Sequence, residues 1–406
     1  MQAIVLAAGE GSRMRPLTYS RPKVMLPVCG RPFLEHVIER SKRAGITEFV
    51  FVVGYRSESV IQKFKDGRDM GVSIKYAIQR DRRGTGDALM AAEEMAEDEF
   101  LVLNGDVLTD TPSLKRMVDG GGLAVASKRV ADPSRYGVFE AEAGRLKSVT
   151  EKSPSPPSDL ANAGIYLMGG EIFDLLRDIS ISERGEYELT DGLNALVSEG
   201  REVRMAEIDE WIEIGRPWDL LSASEQLALF EDYSVSGEVE TNASLSGRVS
   251  VGIGTRIRSG SYIQGPVVIG EDCDIGPNCF IRPYSFIGDN VRVGNAVEIK
   301  NSTIMDDTNI AHLSYVGDSV IGSSCNFGAG TIVANLRHDR GDIRSYIKGV
   351  EVNSERHKLG VIMGDDVKTG INSTIYPGTV IDSGYRGDPG ELIRGWVSAG
   401  EREQHR

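Results

Sequence analysis

The segment LAAGEGSRMRPLTYSRPKVMLPV (6–28) carries Gly9 and Gly11 and then four cations, Arg13, Arg15, Arg21 and Lys23. Glycines let backbone N–H groups come close to phosphate oxygens, and the cations neutralise them. The combination points to a polyphosphate ligand. Two familiar phosphate loops are excluded by single residues. The G-x-G-x-x-G dinucleotide loop needs glycine where Met14 stands, and the loop ending G-K-[ST] meets Gly11-Ser12-Arg13 instead. A glycine turn with solvated cations is the plain reading of any one of these residues, but it does not explain the whole string. Two other residues invite chemistry. Asp106 closes the apolar run FLVLNGD, where a carboxylate can hold a hard cation or merely cap a helix. His312 sits in AHLSYVGDSVIGSSCNFGAGTIVAN (311–335), where an imidazole titrating near neutrality can act as a base or lie idle on the surface.

Something must position these groups. Up to about residue 106, short apolar runs at 3–9, 48–54, 73–79 and 100–106 alternate with amphipathic patterns at 32–44, 57–65 and 85–96. Strands that are apolar throughout, separated by such helices, predict a mostly parallel sheet covered on both faces. Ligands of such sheets bind at the carboxyl ends of the strands, which places Gly9, Gln79 and Asp106 along one edge.

Beyond residue 237 the period is six. Val239, Leu245, Val251, Ile257, Ile263, Ile269, Ile275, Ile281, Ile287, Val293 and Ile299 keep an unbroken register. It drops one residue at Ile304 and again at Ile321, runs through Phe327 and Val333, and resumes at Met363, Thr369, Ile375 and Ile381. Helices repeat at 3.6 and strands at 2, so one hexapeptide per face of a triangular parallel β-helix is predicted. Cys273, Cys279 and Cys325 fall two residues before column positions and read as slim interior spacers. The charged stretch 336–358 reads as a loop extruded from one coil, with Arg337, Arg340, Arg344 and Lys348 as candidate phosphate ligands. The expected divisions are a first domain at 1–221, a linker helix at 222–236, the solenoid at 237–381 and an irregular tail at 382–406.

The chain has 406 residues and a formal net charge of −14. So acidic a protein repels phosphate backbones and anionic membranes, and neither nucleic acid nor membrane is an expected partner. Membrane spans need about 18–20 consecutive apolar residues, and none occurs. The start MQAIVLAAGE lacks the features of a signal peptide. A cytoplasmic protein is expected. Its four cysteines show neither a disulfide framework nor zinc-ligand spacing.

GEGSRMRPLT followed by RPK resembles the signature of the sugar-1-phosphate nucleotidylyltransferases, which join a sugar phosphate to a nucleoside triphosphate and release pyrophosphate. Further pieces follow in the family's order: Gln79 with Gly84-Thr85-Gly86, Asn104-Gly105-Asp106, Gly137, Glu151-Lys152, Asn162-Ala163-Gly164 and WIEIGRPWDLL (211–221). The resemblance implies a Rossmann-like domain in which Leu6, Ala8, Gly9, Gly11, Gln79, Gly84 and Thr85 meet the nucleotide. Arg13 holds the triphosphate, Lys23 and Lys152 hold the reacting phosphates, and Gly137, Glu151 and Asn162 form the sugar pocket. Asp106 and Glu213 hold Mg²⁺, with Glu213 standing where the family usually has Asp.

The string 311–335 together with KLGVIMGDDVKTGINSTIYPG (358–378) resembles the acetyltransferase part of bifunctional amino-sugar enzymes, in their archaeal form. The likeness implies an α/β domain followed by a left-handed β-helix of hexapeptide repeats, associated as a homotrimer. His312 is then the general base, Tyr315, Asn326 and Asn335 orient the amino-sugar phosphate, and the backbone at Ala329 and Thr369 meets acetyl-CoA. The implied reactions acetylate glucosamine-1-phosphate and couple the product to UTP, giving UDP-N-acetylglucosamine. Two other readings stay open. One is a nucleotidylyltransferase using UTP or dTTP with a purely structural solenoid. The other is a non-catalytic regulatory subunit of a translation exchange factor, which would not need Arg13, Lys23 and Asp106 together.

Overall fold

The apolar runs of the first half become strands whose middles are sealed from water: Ile4, Val50, Phe51 and Val102 have no exposure in the computed structural model, which describes residues 1–399. Four parallel strands lie in the order Ser73–Ile78, Glu48–Val53, Gln2–Leu6, Glu99–Asn104. The strand Leu160–Gly169 joins antiparallel to Glu99–Asn104, and four more strands complete a nine-stranded sheet. The expected parallel sheet therefore holds for the first four strands, and the sheet is mixed beyond them.

Helices cover this sheet because their apolar residues fall on one side. In Phe33–Arg43 the buried set is Phe33, Leu34, His36, Val37, Ile38 and Ser41, and its apolar members recur at a spacing of three and four that makes one stripe. Arg40, Lys42 and Arg43 fill its last turn, where cations favour the helix dipole. In Thr111–Asp119 the chain starts at Asp110, whose carboxylate accepts from the Ser113 N–H at 2.7 Å.

By its contacts the chain forms two compact units. The first comprises Met1–Glu10, Pro22–Met25 and Phe33–Glu213; the second takes Gly11–Arg21, Leu26–Pro32 and everything from Ile214 onward. In the second unit the helix Asp219–Leu227 buries Leu220, Leu221, Ala223, Ser224 and Leu227. It starts and stops earlier than the expected linker at 222–236, since Leu229 and Phe230 are exposed and give a further turn nothing to pack on.

From Glu238 to Val397 the second unit is a left-handed parallel β-helix. Among the described residues its strands form three parallel ladders, one per face, of six, eight and eight strands. Ile257, Ile275, Val293, Ile310 and Phe327 stack on the first face, Ile263, Ile281 and Ile299 on the second, and Ile269, Ile287, Ile304, Ile321, Met363 and Ile381 on the third. These residues are almost wholly buried, and each such side chain contributes roughly 2–3 kcal/mol of transfer free energy. Both one-residue drops fall between the second and third faces. The insertion leaves at that same corner and folds as the hairpin Arg344–Ile347 with Val350–Asn353. The corner absorbs length changes because each face resets its own pairing. Cys273, Cys279 and Cys325 are buried inside the prism.

The expected irregular tail at 382–406 is corrected at its start. Leu392–Ile393 pairs with Thr374–Ile375, and Trp396–Val397 pairs with the preceding strand of the third face, so the solenoid gains another coil. The hexapeptide pattern fails there because Gly387 occupies the aliphatic position. Tyr385, two residues earlier and 2% exposed, fills the interior instead. The remainder of the expected tail, with His405, lies outside the described residues.

Candidate active sites

The order of the parallel strands reverses between Gln2–Leu6 and Glu99–Asn104, and a crevice opens at their carboxyl ends. There the Gly105 N–H donates to the Leu6 carbonyl at 2.9 Å. A Cβ on Gly105 would lie 2.9 Å from that same oxygen, so glycine permits the close approach. The crevice is a cleft of about 490 Å³ walled by Leu6, Ala8, Gly9, Lys23, Gln79, Gly84, Thr85 and Asp106. That volume suits a nucleotide.

Gln79 is 6% exposed and its Nε2 donates to Asp87 at 2.8 Å and to the Gly84 carbonyl at 3.2 Å. The carboxylate partner fixes the orientation of the amide and leaves Oε1 as an acceptor on the cleft wall. The loop beneath it is set by Gly84, with φ +119° and space for a Cβ only 2.5 Å from the Tyr187 carbonyl. Thr85 spends its hydroxyl on the Leu189 N–H, 3.0 Å away. Arg82, Glu10, Asn104 and Glu186 also line the cleft. Arg82 was legible as part of the cationic run Arg80, Arg82, Arg83 just before the glycine turn.

Lys23 pairs with Asp106, its ammonium donating to Oδ2. The strand Val107–Thr109, directly after Asp106, pairs antiparallel with Trp211–Glu213 and sets Glu213 opposite Val107. Two carboxylates thus occupy neighbouring places at one strand end. Among the described residues no group of three or more His, Cys, Asp or Glu could hold a metal alone. Mg²⁺ is commonly held by one or two carboxylates plus substrate phosphates, so the donor set fits a cation arriving with a triphosphate.

Gly11, with φ +65°, opens the turn Ser12–Met14, and Arg13 stands exposed on it. Arg21, grouped by sequence with the phosphate cations, is committed elsewhere, to Asp365 at 2.9 Å. Among the residues expected to meet the sugar, the Asn162 N–H donates to the Gly137 carbonyl at 2.8 Å, and a Cβ on Gly137 would lie 3.2 Å from Glu151. Glu151 accepts from Thr190 at 3.0 Å and Arg184 at 2.9 Å. Lys152 follows, exposed. The Asn162 amide donates to the Tyr166 hydroxyl at 2.8 Å. Burial pushes the Tyr166 phenol up, the bond from Asn162 opposes that, and the charges of Glu151, Asp106 and Glu188 add to the rise, so it stays neutral.

In the solenoid, His312 ends the strand Asn309–His312 on the first face and is exposed. Leu313 turns the corner with φ +51°, and Tyr315 begins the second face. Asn335 donates to the Tyr315 hydroxyl at 3.1 Å and to Asp318 at 2.5 Å, and Lys300 reaches Asp318 at 3.1 Å. Burial raises the Tyr315 phenol, and the bond from Asn335 opposes that. Lys300 and Asp318 escaped the sequence reading; Lys300 lies in register with Gly317 one coil on, and only the stacking brings it here. Asn326 is exposed on the first face and pairs with Asn309. The Ala329 carbonyl accepts from the Asn372 N–H at 2.8 Å. Thr369 points inward, bonded to the Gly328 N–H at 3.0 Å and to Thr331 at 2.9 Å, while its own N–H serves Asn326 at 3.0 Å. Only its carbonyl is left for a ligand. Of the insertion's cations, Arg337 pairs with Asp339 and Arg344 with Glu351.

A cleft at the switch point of an α/β sheet is followed along the chain by a hexapeptide solenoid bearing its own polar cluster. The family model for nucleotidyl transferase matches residues 2–229, and that for the GMPPB C-terminal domain matches residues 263–384. The bifunctional protein GlmU of Methanococcus maripaludis strain C7 is 42% identical over 386 residues, covering 94% of this chain and 92% of its own. A bifunctional sugar-1-phosphate nucleotidylyltransferase/acetyltransferase of Sulfurisphaera tokodaii is 38% identical over 99% of both chains. A solved chain from Bacillus anthracis, bearing the name of a glucose-1-phosphate thymidylyltransferase, is 29% identical with a TM-score of 0.51 over 56% of this chain and 94% of its own. The chain belongs to the family of bifunctional sugar-1-phosphate nucleotidylyltransferase/acetyltransferases. It is a nucleotidyltransferase and an acetyltransferase in one polypeptide.

Proposed function

We propose that the solenoid acetylates glucosamine-1-phosphate with acetyl-CoA and that the first domain couples the resulting N-acetylglucosamine-1-phosphate to UTP, releasing pyrophosphate and UDP-N-acetylglucosamine. The observation that carries the reading is the pairing of two polar sites in one chain. One is a cleft walled by Gly9, Lys23, Gln79 and Asp106; the other is a cluster of Tyr315, Asn335, Asp318 and Lys300 close in sequence to His312.

In the first step His312 takes a proton from the sugar amine as its nitrogen attacks the thioester carbon of acetyl-CoA, and the CoA thiolate leaves. Tyr315, Asn326 and Asn335 orient the amino sugar, and backbone groups at Ala329 and Thr369 meet the cofactor. In the second step an oxygen of the sugar phosphate attacks the α-phosphorus in line, so catalysis is positioning and charge neutralisation. The free Oε1 of Gln79 suits the imide N–H of uracil or thymine. Arg13 holds the triphosphate and its leaving pyrophosphate, Lys23 and Lys152 the reacting phosphates, and Gly137, Glu151 and Asn162 the sugar. Asp106 and Glu213 would hold Mg²⁺, which supplies charge neutralisation on the phosphates when bound.

UTP and acetyl-CoA are cytoplasmic metabolites, and among the described residues no helix is long and apolar enough to cross a membrane. The solenoid is expected to associate as a homotrimer; a monomer in light scattering would count against that. The deciding experiment is mass spectrometry of products from the protein, Mg²⁺, UTP and glucosamine-1-phosphate with and without acetyl-CoA. UDP-N-acetylglucosamine formed only with acetyl-CoA supports the reading. Nucleotide sugars formed only from preacetylated or simple sugar phosphates would leave the solenoid a scaffold.

A further inference from the structure

The nucleotide cleft is walled on either side of a loop, at Glu10 and at Lys23, yet the intervening Gly11–Arg21 belongs by its contacts to the unit of the solenoid. That loop is a run of tight turns. The Met14 N–H donates to the Gly11 carbonyl at 2.8 Å, the Leu17 N–H to Met14 at 3.1 Å, and the Tyr19 N–H to Pro16 at 3.2 Å. The Thr18 hydroxyl donates back to Gly11 at 3.0 Å, which closes the loop on itself. Met14 and Leu17 are buried and anchor its middle. Its end is held differently, by charge.

The corner that follows the third solenoid face carries a ladder of acids, each accepting a backbone N–H from the coil before. Asp289 accepts from Glu271 at 2.8 Å, Asp306 from Asp289 at 2.9 Å, and Asp365 from Ser323 at 2.8 Å. At position 323 the ladder has serine in place of an acid, and Arg21 enters there. Its Nη2 donates to Ser323 at 3.1 Å and to the two oxygens of Asp365 at 3.0 and 2.9 Å, while Ser20 donates to the same carboxylate. Both charged side chains are only about one-fifth exposed, at 21% and 19%. One guanidinium nitrogen thus bridges both carboxylate oxygens, a charge-assisted pair strengthened by its partial burial.

We propose that Asp365 is a positioning residue for nucleotidyl transfer. Through Arg21 and Ser20 it fixes the end of the loop that carries Arg13 and Arg15, two residues before Lys23 turns to Asp106. The solenoid's own unit thereby holds the loop whose Arg13 the proposed reading assigns to the triphosphate. The inference rests on the reading of Arg13 and Lys23 as nucleotide ligands.

The test uses the full chain in three forms, Asp365→Asn, Arg21→Gln and the double variant. Arg21→Gln changes no residue of the solenoid ladders, and Asp365→Asn keeps an acceptor for the Ser323 N–H. In each, KM for UTP or dTTP is expected to rise roughly ten-fold with kcat within about three-fold, the loss typical of one charge-assisted hydrogen bond. Acetyl transfer should stay within about two-fold, and the double variant should be no worse than either single one. A second readout needs no substrate. Arg15 and Arg21 precede proline and resist trypsin, so cleavage after Lys23 reports the loop's end and should quicken by a similar factor. An unchanged KM and cleavage rate in Arg21→Gln, or additive effects in the double variant, would overturn the proposal. If the unaltered protein released no pyrophosphate from either nucleotide, the nucleotide reading would fail, and the cleavage rates would still judge the clamp.

Discussion

Lys23 donates its ammonium to the carboxylate of Asp106, so the cation expected to meet phosphate and the acid expected to meet Mg²⁺ neutralise one another in the absence of nucleotide. On the proposed reading Asp106 would hold the Mg²⁺ that arrives with a triphosphate, which would supply charge neutralisation, and Lys23 would turn to phosphate oxygen. Asp106→Asn should therefore lower pyrophosphate release by at least about a thousand-fold. Acetyl transfer, followed by release of the CoA thiol, should be unaffected. Loss of both activities in a folded Asp106→Asn protein would contradict the division of labour.

The converse is expected in the solenoid. His312→Ala should lower acetyl transfer by about 10²–10⁴-fold, the usual contribution of a general base, and spare uridylyl transfer from preacetylated substrate. Activity of His312→Ala that is normal in both assays would assign the proton to another group.

Gly84 holds φ +119° with the Tyr187 carbonyl where a side chain would begin. Gly84→Ala should cost about 1–3 kcal/mol of stability and displace the turn under Gln79. The measurement is KM for the nucleotide beside a urea melt. A weaker fold with unchanged KM would separate that turn from base binding.

Two interior thiols should make stability fall in alkali. Burial pushes Cys273 up to about 11 and Cys325 up to about 12. Below the ordinary thiol range both states are protonated and the cysteines contribute nothing to the pH dependence. Above it only the unfolded chain loses the proton, so folding weakens progressively up to the folded values. By pH 10 each thiol should cost about 1–2 kcal/mol. Urea unfolding at pH 8 and pH 10 checks this, and Cys325→Ala should show the smaller drop. Equal slopes in the two proteins would refute the assignment.

Much of this protein is written along the chain. The six-residue register from Val239 to Ile299 needs no partner to be seen, because each aliphatic meets its own repeat one coil away. The phosphate string is likewise local, and the runs ending at Gly9, Gln79 and Asp106 already place those residues along one edge of the sheet, where the cleft lies. What the sequence could not decide are meetings set by stacking and by chain return. Arg21 reads as one more phosphate cation until Asp365, 344 residues away, takes it. Thr369 sits at an aliphatic position, and only the closed prism turns its hydroxyl inward. Lys300 joins Asn335 through Asp318 because coils of 17 and 18 residues bring separate repeats to one corner. Tyr385 fills the space that Gly387 leaves, so a coil persists where the pattern ends. Periodicity is a property of neighbours in sequence and fixes the columns. Which polar side chains face each other across coils depends on the register of the ladders, and that exists only once the chain is folded.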